Sequence, residues 1–176
     1  NKNIKIIKLK VKFRALEMDD LQWLYLIEND ERLWKYSNTI VPFSKEILTK
    51  YILNSNRDIF DVKQLRMVVY SREVSRIGLI DLYDFSPENK RLALGIIIDE
   101  KYRNIGVAKN ALSLIEKWIK NRLDIHQIYV NIGEENLISI KLFKSLGYKK
   151  IGLKKDWNFY NNKFNSEYTF QKILND

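Results

Sequence analysis

The sequence predicts an α/β domain built on a mixed sheet, and three observations predict it. Leu92, Leu94, Ile96 and Ile98 alternate with Ala93, Gly95 and Ile97, so both faces of this stretch are apolar, as in a central strand covered on both sides. Val107, Ala111, Leu114, Ile115, Trp118 and Ile119 then recur at three- and four-residue spacing, while Lys109, Glu116, Lys117 and Lys120 fall off that stripe, which marks an amphipathic helix. A second strand-like run, Gln127 to Ile132, follows. Strand, crossover helix and parallel strand in one sheet connect right-handedly, and ligands of such sheets sit beyond the carboxyl ends of the strands.

The remaining elements fall into order around this unit. Lys8 to Ala15 alternates polar and apolar residues as a first strand, and Asp19 and Asp20 cap a helix carrying Leu21, Leu24, Tyr25 and Ile27. Asn29 to Pro42, with Trp34, Tyr36, Ser37, Asn38 and Thr39, breaks the pattern, Pro42 ending an extended piece; Ser44 caps a second helix to about Asn56. Leu65 to Tyr70 and Arg76 to Phe85 form a hairpin around Ser71 to Ser75, although that turn lacks an Asn-Gly or Asp-Gly pair. A helix from Asn136 to Leu146 and two strands, Lys149 to Tyr160 and Phe164 to Leu174, joined at Asn161-Asn162, complete the chain. With 176 residues, 45% of them hydrophobic, and no internal repeat, linker or low-complexity tract, residues 1–176 read as a single domain.

The segment between the central strand and its helix carries the first chemical signal. Arg103, Asn104, Ile105, Gly106, Val107 and Ala108 place a short turn with two small residues at a helix start. Backbone N–H groups there have no intrahelical acceptor and the helix dipole adds positive potential, so the turn reads as a cradle for a pyrophosphate. It lacks the three spaced glycines of a dinucleotide-binding loop and the Gly-Lys-Ser/Thr ending of a P-loop. Further on, Asn136 opens a helix closed by Leu146-Gly147-Tyr148; Asn136 serves as an N-cap, Gly147 as a left-handed C-cap, and Leu142 and Phe143 as core.

Arg-x-x-Gly-x-Ala after a hydrophobic strand, followed one helix and one strand later by the Asn136 helix, resembles the acyl-CoA signature of the GNAT superfamily of N-acetyltransferases. The likeness is strongest between Leu65 and Tyr148 and extends more loosely over most of the chain. The Phe13-Arg14-Ala15-Leu16-Glu17-Met18-Asp19-Asp20-Leu21 opening, the Gly78-Leu79-Ile80-Asp81 strand and the Arg91 to Ile98 strand are similar to the branch of ribosomal-protein and spermidine N-acetyltransferases. The resemblance implies a mixed, mostly antiparallel central sheet of about seven strands flanked by about four helices. It implies acetyl-CoA as cofactor, held by Ile96, Ile97 and Ile98, by Arg103 to Ala108, and by Asn136 and Phe143. It also implies direct attack of a primary amine on the thioester, with the Ile98 N–H as oxyanion donor.

Acyl transfer to an amine needs the amine deprotonated, the oxyanion stabilised and the thiolate released. Many members of the family place a tyrosine where this chain has Phe143, which removes the obvious proton donor to the sulfur. A thiol of reference pKa near 8.5 leaves tolerably unaided; Tyr148, Tyr129 and Tyr102 are candidate replacements, against the plainer role of core or interface aromatics. Asp81 and Asp84 alternate poorly with the apolar residues of their strand, so one of them is a candidate base facing the acceptor, or both lie on a solvated strand face. Glu28 and Asp30, beside the Trp34 to Thr39 segment, are the other candidate carboxylates of an amine pocket, against the plainer role of helix-end surface acids. His126 reads as a hydrogen-bonded edge residue rather than a catalyst.

Composition closes several routes. The absence of cysteine excludes disulfides, thiolate metal sites and a cysteine nucleophile, and the single histidine leaves no histidine-based zinc site. No apolar run approaches the roughly 18 residues that span a bilayer. The charge-interleaved start Asn1 to Lys10 does not resemble a signal peptide, so a cytoplasmic setting is expected. The net charge of +9 comes from lysines scattered singly, which suits a polyanionic cofactor or plain Lys, Ile and Asn compositional bias and disfavours nucleic acid. Expected partners are a small amine or a protein N-terminus, with a homodimer left open. Phe143 keeps one alternative alive: a catalytically impaired CoA-sensing or RNA-associated module.

Overall fold

A computed structural model describes residues 9–37, 39–55 and 57–174. The start at 1–8, with Lys8 of the expected first strand, lies outside the described residues, as do Asn38 and Asn56. The elements run β1 (Lys12–Ala15), α1 (Leu21–Glu28), α2 (Glu31–Ser37), α3 (Lys45–Asn54), α4 (Ile59–Val62), β2 (Leu65–Tyr70), β3 (Gly78–Ser86) and β4 (Arg91–Ile98). They continue α5 (Val107–Leu123), β5 (Gln127–Gly133), α6 (Leu137–Ser145), β6 (Lys149–Tyr160) and β7 (Lys163–Ile173). One seven-stranded sheet has the order β1-β2-β3-β4-β5-β7-β6, and every pair is antiparallel except β4 with β5. This is the expected mixed, mostly antiparallel sheet. The described residues hold six helices, two more than expected: α2 buries none of its residues and α4 is four residues long, so neither writes a core stripe into the sequence.

Both faces of the sheet are covered. Successive strand residues point to opposite faces. Val69 and Ile80 thus join the larger core with Leu112, Ile115 and Ile119 of α5, while Val68 and Leu79 join a smaller one with Leu24 of α1 and Leu48 and Ile52 of α3. The β2–β3 turn is made by Ser71, whose Oγ accepts from the N–H groups of Glu73 (3.2 Å) and Val74 (3.1 Å). Asn161 and Asn162 both adopt left-handed φ (52° and 57°), the geometry of a tight hairpin turn between β6 and β7. Gly78 is needed for close approach, because a Cβ there would lie 2.2 Å from the Ile97 carbonyl oxygen. No helix of the described residues is long and apolar enough to cross a membrane.

Asp20 corrects one expectation. It makes no helix-capping bond with its side chain onto α1; it sits with 1% of its side chain exposed between Arg14 (2.6 Å) and Arg76 (2.7 Å) and accepts from the Glu17 N–H at 3.0 Å. Burial opposes ionisation, but the hydrogen bonds from Arg14, the Glu17 N–H and Arg76 outweigh it and hold the carboxyl at about 2.

Candidate active site

The site begins where the sheet comes apart. β4 and β5 pair only over Arg91–Ala93 and Gln127–Tyr129; beyond these three rungs they diverge, and α5 and α6 start at the open end. The direction of the freed β4 groups follows from its pairing with β3. Asp99 N–H bonds the carbonyl of Ile77 directly opposite, and hydrogen-bonded and non-bonded pairs alternate along an antiparallel ladder. Ile97 and Gly95 therefore bond to β3, and Leu94 N–H closes the last rung to β5, whereas the N–H groups of Ile96 and Ile98 face the gap left where β5 departs. The Ile98 carbonyl is taken by Arg103 Nε at 2.8 Å, while its N–H stays aimed into the gap.

A cleft of about 1020 Å³ fills the split and reaches across to α1, α2 and α3. At its cofactor-sized end, Asn104 and Gly106 adopt left-handed φ of 62° and 82°, and the first bond of α5 runs from Asn110 N–H to the Gly106 carbonyl at 3.1 Å. The N–H groups before it, including those of Val107 and Ala108, stand at the free start of a 17-residue helix. A Cβ on Gly106 would meet nothing within 4 Å, so glycine serves the backbone turn there rather than packing. Ile96, Ile97, Ile98, Arg103, Asn104, Gly106, Val107 and Ala108 all line the cleft; Ile105 does not, and points outward with 45% of its surface exposed. Asn136 lines the opposite wall, its Oδ1 accepting from Ser139 N–H at 3.2 Å as an N-cap, and Phe143 closes the floor, 4% exposed and edge-on to Tyr148.

The far end is built from side chains. Arg66 of β2 stands opposite Asp81 of β3 in register, donating from Nε and Nη2 to the two Asp81 oxygens and from Nη1 to Glu28 Oε1 at the end of α1. Burial disfavours the guanidinium's charge, but Asp81, Tyr51 and Glu28 more than compensate and push its pKa up. The Tyr51 ring lies 5.4 Å from the guanidinium carbon, and Trp34 Nε1 donates to the Glu28 carbonyl at 2.8 Å. Gly95, across from Asp81, leaves the space beside Asp81 and Tyr83 open; the Tyr83 hydroxyl is pushed up to about 12, first by burial and then by Asp84.

Glu28 and Asp81 thus come together, and Asp30 and Asp84 do not join them. Asp30 lies outside the cleft, paired with Arg32 at 2.8 Å, whose hydrogen bonds lower its pKa. Asp84 is exposed at a bulge with left-handed φ of 48° and accepts from the Tyr129 hydroxyl at 2.7 Å. Burial and that bond push the Tyr129 pKa up, and burial does the same to Tyr148, which lies in the core away from the cleft; Tyr102 alone of the three lines it. His126 is exposed at the start of β5 and does not line the cleft. Sequence reasoning missed Arg66, Tyr51 and Tyr83. The available signal was an arginine interrupting an apolar strand, which becomes informative only once the hairpin register sets it opposite Asp81.

Of the cleft's other carboxylates Glu167 is paired, and Glu100 only in part, since its Arg32 is shared with Asp30. Glu167 pairs with Lys154 at 3.0 Å and Glu100 faces Arg32 at 3.7 Å. Lys35, Arg103 and Lys109 add positive charge to the walls. No group of three or more His, Cys, Asp or Glu suited to a metal occurs among the described residues.

A sheet split at its one parallel pair, with a left-handed turn and two helix starts at the open end, defines an acyltransferase of the GNAT type. The chain belongs to that family: the profile described as acetyltransferase (GNAT) domain matches residues 10–149. Its activity class is acetyl transfer to an amine. Spermidine N(1)-acetyltransferase of Escherichia coli (strain K12) is 25% identical over 145 residues, 81% of this chain and 74% of that protein. The uncharacterized N-acetyltransferase p20 of Bacillus licheniformis is 25% identical over 150 residues, 84% of each. In fold, the chain matches the crystal structure of spermidine N-acetyltransferase from Vibrio cholerae in complex with CoA and spermine. That match has a TM-score of 0.84 at 21% identity and covers 93% of this chain and 95% of that one.

Proposed function

We propose that the chain binds acetyl-CoA along the β4 side of the split and passes its acetyl group directly to a primary amine entering from the Glu28–Arg66–Asp81 end. The observation that carries this is the pair of N–H groups at Ile96 and Ile98, left open where β5 departs and leading to the free start of α5. The pieces fit the cofactor: a left-handed turn and helix start for a diphosphate, unpaired strand donors for an amide-bearing arm, and Asn136 and Phe143 on the facing wall. When bound, acetyl-CoA supplies an activated acyl group as a thioester.

The chain's own residues do the rest. The Ile98 N–H, fixed by the β3–β4 ladder, donates to the negative charge that develops on the acyl oxygen, without reorganisation during the reaction. Arg103, bonded to the Ile98 carbonyl, holds that peptide's orientation. Phe143 excludes water near the sulfur and offers it no proton. Glu28 keeps Oε2 free of hydrogen bonds among the described residues and so can receive the incoming ammonium, while Asp81 is committed to Arg66. The open Ile98 donor favours turnover over a binding-only module, and a cytoplasmic setting goes with this reading.

The test is release of free thiol from acetyl-CoA by the full chain with a panel of amines and N-terminal peptides, alongside calorimetry with CoA. Binding of CoA together with amine-dependent thiol release supports the reading. Binding without release to any amine turns the chain into the sensing module.

A further inference from the structure

We propose that the acceptor is a primary amine carrying one positive charge on an apolar, preferably aromatic, body, and that Arg66 sets this preference by cancelling one of the two carboxylates at the acceptor end. The proposal rests on the acetyl-transfer reading and names its substrate class.

Charge at the acceptor end comes first. Glu28 and Asp81 share a single guanidinium, so the cluster presents one net negative charge at neutral pH rather than two. Arg66 occupies both oxygens of Asp81 and only Oε1 of Glu28, which leaves one free carboxylate oxygen for one ammonium group. Beyond Glu28, a second or third ammonium on the same molecule meets, among the described residues of the cleft, only Glu100 as an acid not held by a hydrogen bond, and Glu100 shares Arg32 with Asp30. Glu167 is bound to Lys154, while Arg103 and Lys109 line other parts of the wall and repel added positive charge; Lys35 is paired with Glu135 at 3.6 Å.

The body of the acceptor follows from what surrounds the free oxygen. Trp34 is tied to the Glu28 backbone carbonyl by its indole N–H and Tyr51 lies 5.4 Å from the Arg66 guanidinium carbon, so aromatic side chains flank the Glu28–Arg66 pair. Phe43, Ile47 and Leu33 extend that wall. An ammonium over aromatic faces is itself attracted by their quadrupoles, and an apolar tail gains by leaving water. One acid with an aromatic wall recognises a monoamine; a polyamine needs several acids spaced along its length. The ammonium can belong to a free arylalkylamine or to the N-terminus of a peptide with an apolar first residue, since both offer the same group.

The experiment compares kcat/KM for phenethylamine, a short peptide beginning Phe-Leu, spermidine and spermine, with acetyl-CoA saturating. The expected result is at least a tenfold preference for one of the first two over both polyamines, and whichever leads identifies the source of the amine. Equal or better use of spermidine or spermine overturns the proposal while leaving the acetyl-transfer reading intact. Absence of thiol release above background with every amine overturns that reading, and this one with it.

Glu28→Gln sharpens the result because it keeps the Arg66–Asp81 pair. KM for the preferred amine should rise at least tenfold while kcat and CoA affinity move less than about threefold; an unchanged KM overturns the proposal. Arg66→Gln should narrow the preference over spermidine at least fivefold, and an unchanged ratio in a folded variant removes Arg66 as its determinant. If that variant does not fold, the wild-type panel and Glu28→Gln still decide.

Discussion

The two ends of the cleft are made of different material. The proposed cofactor end is backbone: strand N–H groups exposed by a missing neighbour, a left-handed turn at Asn104 and Gly106, and the start of α5, all within residues 96–110. The acceptor end is side chains brought from three places, Glu28 at the end of α1, Arg66 in β2 and Asp81 in β3. A backbone site tolerates most sequence change as long as the turn survives. A site of paired charges is rewritten by one substitution, which lets one fold keep its cofactor while changing its acceptor.

The largest expected effect falls on the acceptor end. Arg66→Leu leaves two carboxylates facing each other in a partly buried setting and should cost about 3 kcal/mol of stability in a denaturant titration, with CoA affinity by calorimetry nearly unchanged. A loss below about 1 kcal/mol would mean that water reaches the cluster freely, and a matching loss of CoA affinity would mean that the two ends are not separable.

A yardstick outside both ends is Asp20. Its folded-state value of about 2 lies below the ordinary aspartate value of 3.8, so its contribution is present above pH 4 and is lost as the pH falls from about 4 to about 2. The contribution is about 2 kcal/mol. Asp20→Asn should remove it at pH 7 and flatten the acid limb of a stability–pH curve; an unchanged limb assigns acid sensitivity elsewhere.

At the cofactor end, Gly106→Val forces a β-branched residue into a left-handed turn and should weaken CoA binding at least tenfold, about 1.4 kcal/mol, as read by calorimetry. Equal affinity would remove the turn from the anion site. The smallest effect is expected for Phe143→Tyr, which returns a hydroxyl to the floor between the two ends. Its kcat should stay level or rise by up to about tenfold. A large fall with the fold intact would place the ring against the acceptor rather than the sulfur.

The same contrast explains what the sequence made legible. Ser44 and Asn136 cap their helices as read, accepting from Ile47 and Ser139, and Gly147 turns left-handed after α6, because caps are decided by residues a few positions apart. The left-handed turn before α5 was visible for the same reason. α2 was hidden because Leu33 and Trp34 face the cleft and no residue of the helix enters the core, so it carries no apolar stripe. Arg66 looked like any polar interruption of a strand until pairing set it against Asp81. Asp84 was a reasonable candidate that a bulge between Tyr83 and Ser86 carries out to Tyr129, and bulges leave little trace in local composition.

The three rungs between β4 and β5 also have a mechanical meaning. The sheet is two plates, β1 to β4 and β5 with β7 and β6, clipped together at one end like the jaws of a peg. A ligand laid in the gape acts as a spacer that shares in the cohesion of the whole molecule, so its occupancy adds to resistance against unfolding. At a hundred times its dissociation constant, that addition is about 2.7 kcal/mol. The concentration of acetyl-CoA would then tune the folding stability of the chain as well as its rate.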